Sequence, residues 1–324
     1  MARKIASEAI RDKALRMILD IDADTLAKGI QWRRLFGYSA LMGLLFILPA
    51  FLSNIVFDWI PMLDGIAKSF FQWSRYTTPV FVGLENFRLI LTDPEFHASL
   101  GNMAFFLAAN LVLMLPTILC SVILFRIRGK RTRFVYRVLL CLQMVIPGLV
   151  FTLMWIFVLG YDFGAINHLL EQLGFSRVMF LGNPALIKWT IVLTGIPFVS
   201  ANSALIYLGG LNGIGESVWE AATLDGVGPV RRFTRLEFPL IIGQFKLNLI
   251  GVLGASITAY GQQLVFYNGS VHRGIMTPGL LMYFKAFPNT GAPEYGYAYA
   301  LGLLLFIVAL TVSLLAMKFV KSAE

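Results

Sequence analysis

Long apolar runs alternate with polar, basic or Gly/Pro-rich stretches along the whole chain. Six runs reach the length of about 20 residues that a helix needs to cross a hydrocarbon core. They cover about 37–57, 98–125, 138–160, 189–208, 240–262 and 297–317. The runs are continuous and lack the period-two alternation of barrel strands, so they read as helices. A helix pairs its own backbone groups inside lipid, where each unpaired group costs several kcal/mol. Pro49, Pro116, Pro147 and Pro197 fall inside runs. Membrane helices tolerate proline where neighbours or water pair the freed carbonyl. Lys246 is the one charged side chain in the six runs. The pattern predicts an all-α membrane protein, a six-transmembrane-helix bundle.

The remaining segments divide the chain into a polar N-terminal segment (1–36), a transmembrane domain (37–317) and a short tail (318–324). Within the first, Ile10, Ala14, Met17 and Ile21 share one face of an amphipathic helix expected over 8–34. The first apolar run is too long for a signal-peptide core and follows a segment with five acidic residues, so it reads as a retained span. Residues 263–296 are rich in Gly and Pro and should be irregular. The connection between the fourth and fifth runs, about 30 residues, is long enough to be functional. Two short helices are legible in it. Glu216–Leu224 stops at Asp225-Gly226, Pro229 opens a second that runs to about Glu237, and Pro239 opens the fifth span.

Composition strengthens this picture. The chain is 57% hydrophobic and 14% charged, against about 25% charged for an average soluble domain. That excludes a disordered chain and speaks against a soluble globule. The net charge of +9 is mainly a topology signal. Residues 1–36 hold eight Lys/Arg, 126–137 six, 231–235 three and the tail two; the opposite loops together hold seven. The basic side marks the cytoplasm, so both termini and the 30-residue loop are expected there. No aromatic-basic motif accompanies the charge, so nucleic acid is not an expected partner. Two cysteines rule out a disulfide framework, and His97, His168 and His272 lie far apart with no metal-ligand spacing. No G-x-x-x-x-G-K-[ST] occurs, so the chain is not itself expected to bind and hydrolyse ATP.

In the loop, Val218, Ala221, Ala222 and Leu224 offer a small apolar surface flanked by Glu220 and Asp225. Physically this is either a docking surface or a capped surface helix without a partner. The residues Glu220-Ala221-Ala222, Asp225-Gly226, Phe233, Leu236 and Pro239 resemble the EAA motif of permease subunits in binding-protein-dependent ABC importers. The Gly83–Phe87 stretch and the Leu211, Ile214, Trp219 lead-in are similar to the subset that imports sugars and glycerol phosphate, above all the larger membrane subunit of maltose-type transporters. Val227, Gly215, Phe238 and Asn268-Gly269-Ser270 depart from the usual pattern.

The resemblance implies a coupling-helix loop between spans four and five, in which Glu220, Ala221, Ala222, Asp225, Gly226 and Pro239 transmit movement from a cytoplasmic ATPase subunit. It also implies a second homologous permease subunit, an extracytoplasmic solute-binding protein, and a bacterial inner-membrane location in contact with lipid. This chain would need no cofactor of its own; ATP and Mg would sit on the partner ATPase. For a sugar or oligosaccharide path the candidates are Asn202, Ser256, Thr258, Tyr260 and Gln262, neutral groups beside aromatic rings. Interhelical hydrogen bonding accounts for each of them equally well. Glycerol phosphate or acidic sugars remain an alternative cargo, and a stand-alone secondary carrier an alternative class.

Overall fold

The computed structural model describes residues 38–195, 200–267 and 272–319. The helix expected over 8–34, the Asn268-Gly269-Ser270 stretch and residues 320–324 of the tail lie outside the described residues. The chain divides into one unit spanning Met1–Asp64 and another spanning Gly65–Glu324.

In the first unit α1 (Tyr38–Asn54) passes through a wide π turn (Ile55–Trp59) into α2 (Ile60–Lys68), which runs over the unit boundary. Together they give an apolar helix, Met42–Lys68, long enough to cross a membrane. It takes in Asp58 and Asp64, so it outlasts the uncharged run read from the sequence. Its large apolar side chains, Phe46 and Phe57 among them, are exposed, as a face meant for lipid would be. The wide turn ends two residues before Pro61. Proline donates no N–H, and its ring strikes the carbonyl four residues back; one wide turn moves that carbonyl, of Phe57, aside.

The second unit opens with a two-stranded antiparallel ribbon, β1 (Phe71–Gln72) and β2 (Val80–Phe81). The all-α expectation is corrected here: two-residue strands are too short to show any periodicity. Asn86, in α3 (Glu85–Thr92), is buried and holds the ribbon. Its Nδ2 donates to the carbonyls of Ser69 at 2.8 Å and Phe71 at 3.0 Å.

The central element is α4 (Pro94–Arg126), 33 residues and so about 50 Å long. Asp93 caps it, accepting from the Glu95 N–H at 2.8 Å, and Pro94 takes the first turn, where a missing N–H costs nothing. Next come α5 (Lys130–Leu142), a 3₁₀ turn (Gln143–Val145) and α6 (Gly148–Leu159). The two halves of this third run meet at 89°, with Pro147 between them. In the following loop α7 (Ala165–Gln172) is tied down by Asn167, which bonds Gly160 and Val178. The bidentate Arg177 beside Glu171 holds that carboxyl below the usual carboxylate range.

The fourth run is two helices, α8 (Ile187–Thr194) and α9 (Ala201–Gly213), on either side of residues 196–199, which lie outside the described set. The 30-residue connection holds α10 (Glu216–Leu224), α11 (Pro229–Arg232), a second π turn (Phe233–Glu237) and α12 (Phe238–Leu240). In the fifth apolar run, α13 (Ile242–Ile257) leaves this helical run at 72°. After it come α14 (Gly261–Phe266), α15 (His272–Ile275), α16 (Pro278–Ala286) and α17 (Tyr295–Phe319). Among the described residues, three helices are long and apolar enough to cross a membrane, and up to five if each bent pair is one span.

α9 and α13 pack along α4, while α13 and α16 pack along α17. Small residues let α4 and α9 approach closely: Ala204 is fully buried, and its carbonyl accepts from Ser121 Oγ at 3.1 Å. Contacts of this kind hold helices together where lipid removes the hydrophobic drive.

Candidate functional site

The loop between α9 and α13 turns sharply where the sequence places its stop signal. Gly226 has φ +61°, a left-handed conformation that glycine adopts without a Cβ clash. The Asp225 N–H donates to Ala221 O at 3.0 Å, Gly226 N–H to Thr223 O at 3.2 Å and Val227 N–H to Ala222 O at 3.3 Å. These close the end of α10 and leave Glu220, Ala221, Asp225 and Gly226 exposed. The two alanines part company: Ala221 faces outward, whereas Ala222 is buried. Leu224 is 89% exposed and Val230 75%, an apolar surface that no element covers among the described residues. Between α10 and the second π turn lies an open groove of about 700 Å³, lined by Val218, Ala221, Asp225, Arg231, Arg235 and Leu236 among others. Pro239 ends the wide turn as Pro61 ends the first, and the bend into α13 falls at Ile241.

Beneath the loop a carboxylate is completely buried. Glu237 Oε1 accepts from Arg126 Nε and from Arg232 Nε, both at 3.0 Å, and Oε2 accepts from Arg126 Nη2 at 2.6 Å. Arg126 Nη2 also donates to the Pro229 carbonyl at 2.9 Å. The Arg232 guanidinium lies 4.8 Å from the Trp219 ring, which packs on Phe125 at 5.1 Å. One charge-assisted fork from Arg126, a single charge-assisted bond from Arg232 and a cation–π contact thus join the end of α4 to α10, α11 and the wide turn.

The five candidates for a substrate path fall in different places. Ser256 is buried and accepts from Asn110 Nδ2 at 2.9 Å across α4 and α13. It borders a cavity of about 240 Å³ whose other polar walls are Asn110, Thr117, Ser200, Ser203, Tyr207 and Asn248. No charged side chain lines it among the described residues. Tyr260 lies in a separate aromatic cavity of about 340 Å³ with Tyr283, Phe287, Tyr295 and Tyr299, stacked on Tyr283 at 5.9 Å. Gln262 reaches Thr194 Oγ1 at 3.2 Å. Asn202 is exposed and lines neither cavity, and Thr258 bonds its own helix at Gly254. Ser256 and Gln262 therefore do make the interhelical bonds expected of such residues, and Ser256 borders a cavity as well.

Residues 117–322 match the family of inner membrane components of binding-protein-dependent transport systems. The chain belongs to that family. This permease is 30% identical over 292 residues to the multiple sugar-binding transport system permease protein MsmF of Streptococcus mutans serotype c, covering 87% of this chain and 96% of the relative. It is 26% identical over 284 residues to the trehalose/maltose transport system permease protein MalF of Thermococcus litoralis, covering 86% and 93%. The fold is shared with a bacterial alginate ABC transporter, solved in complex with an alginate pentasaccharide-bound periplasmic protein. There the TM-score is 0.77 over 91% of this chain and 99% of that one, at 19% identity. The resemblance drawn from the Glu220–Pro239 segment is borne out, and the permease is an inner membrane component.

Several site residues escaped the sequence reading. Asn110 and Thr117 are seven apart on α4, Ser203 and Tyr207 four apart on α9, and Asn248 and Ser256 eight apart on α13. Each pair shares a helix face, so the spacing carried a signal. Glu237 stands as a lone acid after Arg231, Arg232 and Arg235, at the threshold of an apolar run. Its partner Arg126 is 111 residues away, and no local pattern announces it.

Proposed function

We propose that this permease is one of two membrane subunits of an ABC importer that carries a neutral sugar or oligosaccharide across the bacterial inner membrane. Substrate arrives on an extracytoplasmic binding protein. ATP with Mg is hydrolysed on separate cytoplasmic ATPase subunits, and this chain holds no cofactor. Six spans, with both termini and the α10–α12 loop in the cytoplasm, agree with the basic side chains around that loop and over 126–137.

The observation that carries the reading is the exposed turn at Gly226. It presents Glu220, Ala221, Asp225 and the uncovered Leu224 on one face, as a docking lever requires. Leucine exposed beside charged groups fits a partner's groove better than water. The groove-bound loop passes motion to the helical run ending at Leu240, and the bend at Ile241 delivers it to α13. Substrate would meet the cavity around Asn110, Asn248 and Ser256. Amide and hydroxyl groups without a charge suit a neutral sugar, and they speak against glycerol phosphate or an acidic sugar, which would call for a cationic partner. The cavity falls below the roughly 300–1,000 Å³ of a complete small-molecule site, so the second permease supplies the opposite wall. Relatives named for multiple sugars and for trehalose/maltose support sugar as the class of cargo.

The test is reconstitution. The chain, purified with its ATPase and second permease, should show ATPase activity stimulated by binding protein loaded with neutral oligosaccharide, together with uptake into proteoliposomes. Uptake by the chain alone, or stimulation by glycerol phosphate and uronic oligosaccharides but not by neutral sugars, would overturn it.

A further inference from the structure

The buried Glu237 clamp is not part of the docking face, yet it ties that face to a distant helix. We propose that Arg126, Glu237 and Arg232 are positioning residues that make the loop and α4 move as one body, so that displacement of the loop displaces the cavity wall. This rests on the coupling role proposed for Glu220–Gly226.

Three observations carry it. First, one carboxylate joins two arginines from different elements, and the Arg126 fork also reaches the Pro229 carbonyl. A contact made from several directions fixes orientation, which one apolar contact does not. Second, a buried ion pair adds little stability over apolar packing of the same volume, so stability alone explains such an arrangement poorly. Third, the clamp grips α4 at its last residue, and Thr117 and Asn110 on the same helix border the cavity, roughly 13 Å and 24 Å away along its axis. Trp219, beside Glu220, is bound to the clamp through Arg232 and Phe125. The path from docking face to cavity therefore runs through packed contacts without a flexible link.

The experiment uses the assembled importer in proteoliposomes and measures sugar uptake and ATP hydrolysis together. Glu237→Gln and Arg126→Gln should each lower the sugar moved per ATP about tenfold while ATPase activity stays within about twofold. The double variant should be no worse than either single, because the two act through one contact. Arg126→Lys should not restore the ratio, since it keeps the charge and loses the fork. If Glu237→Gln fails to assemble, Trp219→Leu decides, because it removes the Arg232 platform and leaves the buried charges paired; a roughly threefold lower ratio is expected. An unchanged ratio in assembled Glu237→Gln or Trp219→Leu, or uptake and ATPase falling in parallel, would overturn the clamp. Ala221→Arg tests the reading beneath it: full uptake in that variant would sink the docking role itself, whereas its inactivity beside an unchanged ratio in Glu237→Gln would sink only the clamp.

Discussion

At the scale of single residues, Gly226 and the two alanines separate backbone from contact. A Cβ at Gly226 meets no heavy atom within 4 Å, so its replacement is resisted only by the left-handed backbone. Gly226→Ala should strain the turn by about 1–2 kcal/mol, and Gly226→Asn by less, because asparagine tolerates that conformation. Uptake by assembled importer should follow the order Gly, Asn, Ala. Ala222 is buried, so Ala222→Arg forces a guanidinium into a packed position and should reduce the amount of folded permease. Ala221→Arg should leave the yield unchanged and block docking, seen as loss of ATPase co-purification. In the cavity, Asn110→Ala and Asn248→Ala each remove a hydrogen-bonding group worth about 1 kcal/mol. Half-saturating sugar should rise about fivefold, while Asn202→Ala, exposed and away from both cavities, should change nothing. Gly296 has the opposite reason for being glycine: a Cβ there would run into the Phe71 carbonyl oxygen. Gly296→Ala should push the ribbon away and lower the melting temperature, at an overpacking cost of about 1–3 kcal/mol.

Among elements, the helices were legible and their interruptions were not. Continuous apolar runs betray a helix whatever it packs against, which is why the stretches around α1, α4 and α17 were found. Pro147 was visible but ambiguous, because membrane helices absorb some prolines; Pro116 sits in an unbroken α4 while Pro147 marks an 89° bend. The bend at Ile241 has no proline of its own. The two wide turns share a rule that sequence could supply, since each ends two residues before a proline. Pro239→Ala removes the reason for the second. Relaxation to an ordinary helical turn would rotate the residues before it by up to about 100°, carrying Glu237 away from Arg126. Pro239→Ala should therefore reproduce the uncoupled behaviour expected of Glu237→Gln. The cap of α4 is a separate matter of stability. Asp93 accepts from both the Glu95 N–H and the Tyr297 hydroxyl, the latter at 2.7 Å. Asp93→Ala should lower thermal stability more than Tyr297→Phe, by about 1 kcal/mol for the lost cap.

For the whole molecule, function was more legible than geometry. The EAA-like segment is a local pattern and could be read directly; the cavity and the clamp are made by residues far apart in the chain, and only the fold brings them together. The length of α4 then has a consequence of its own. Asp93 pins one end to α17 through Tyr297, and Arg126 fastens the other to the wide turn through Glu237. A rod of about 50 Å that rocks by about 5° around its midpoint swings its two tips by about 2 Å in opposite senses. Under the proposed coupling, a push on the Arg126 tip would therefore be felt at the Asp93 tip with the opposite sign, so one stiff helix would link events at the two ends of the molecule without a separate signal.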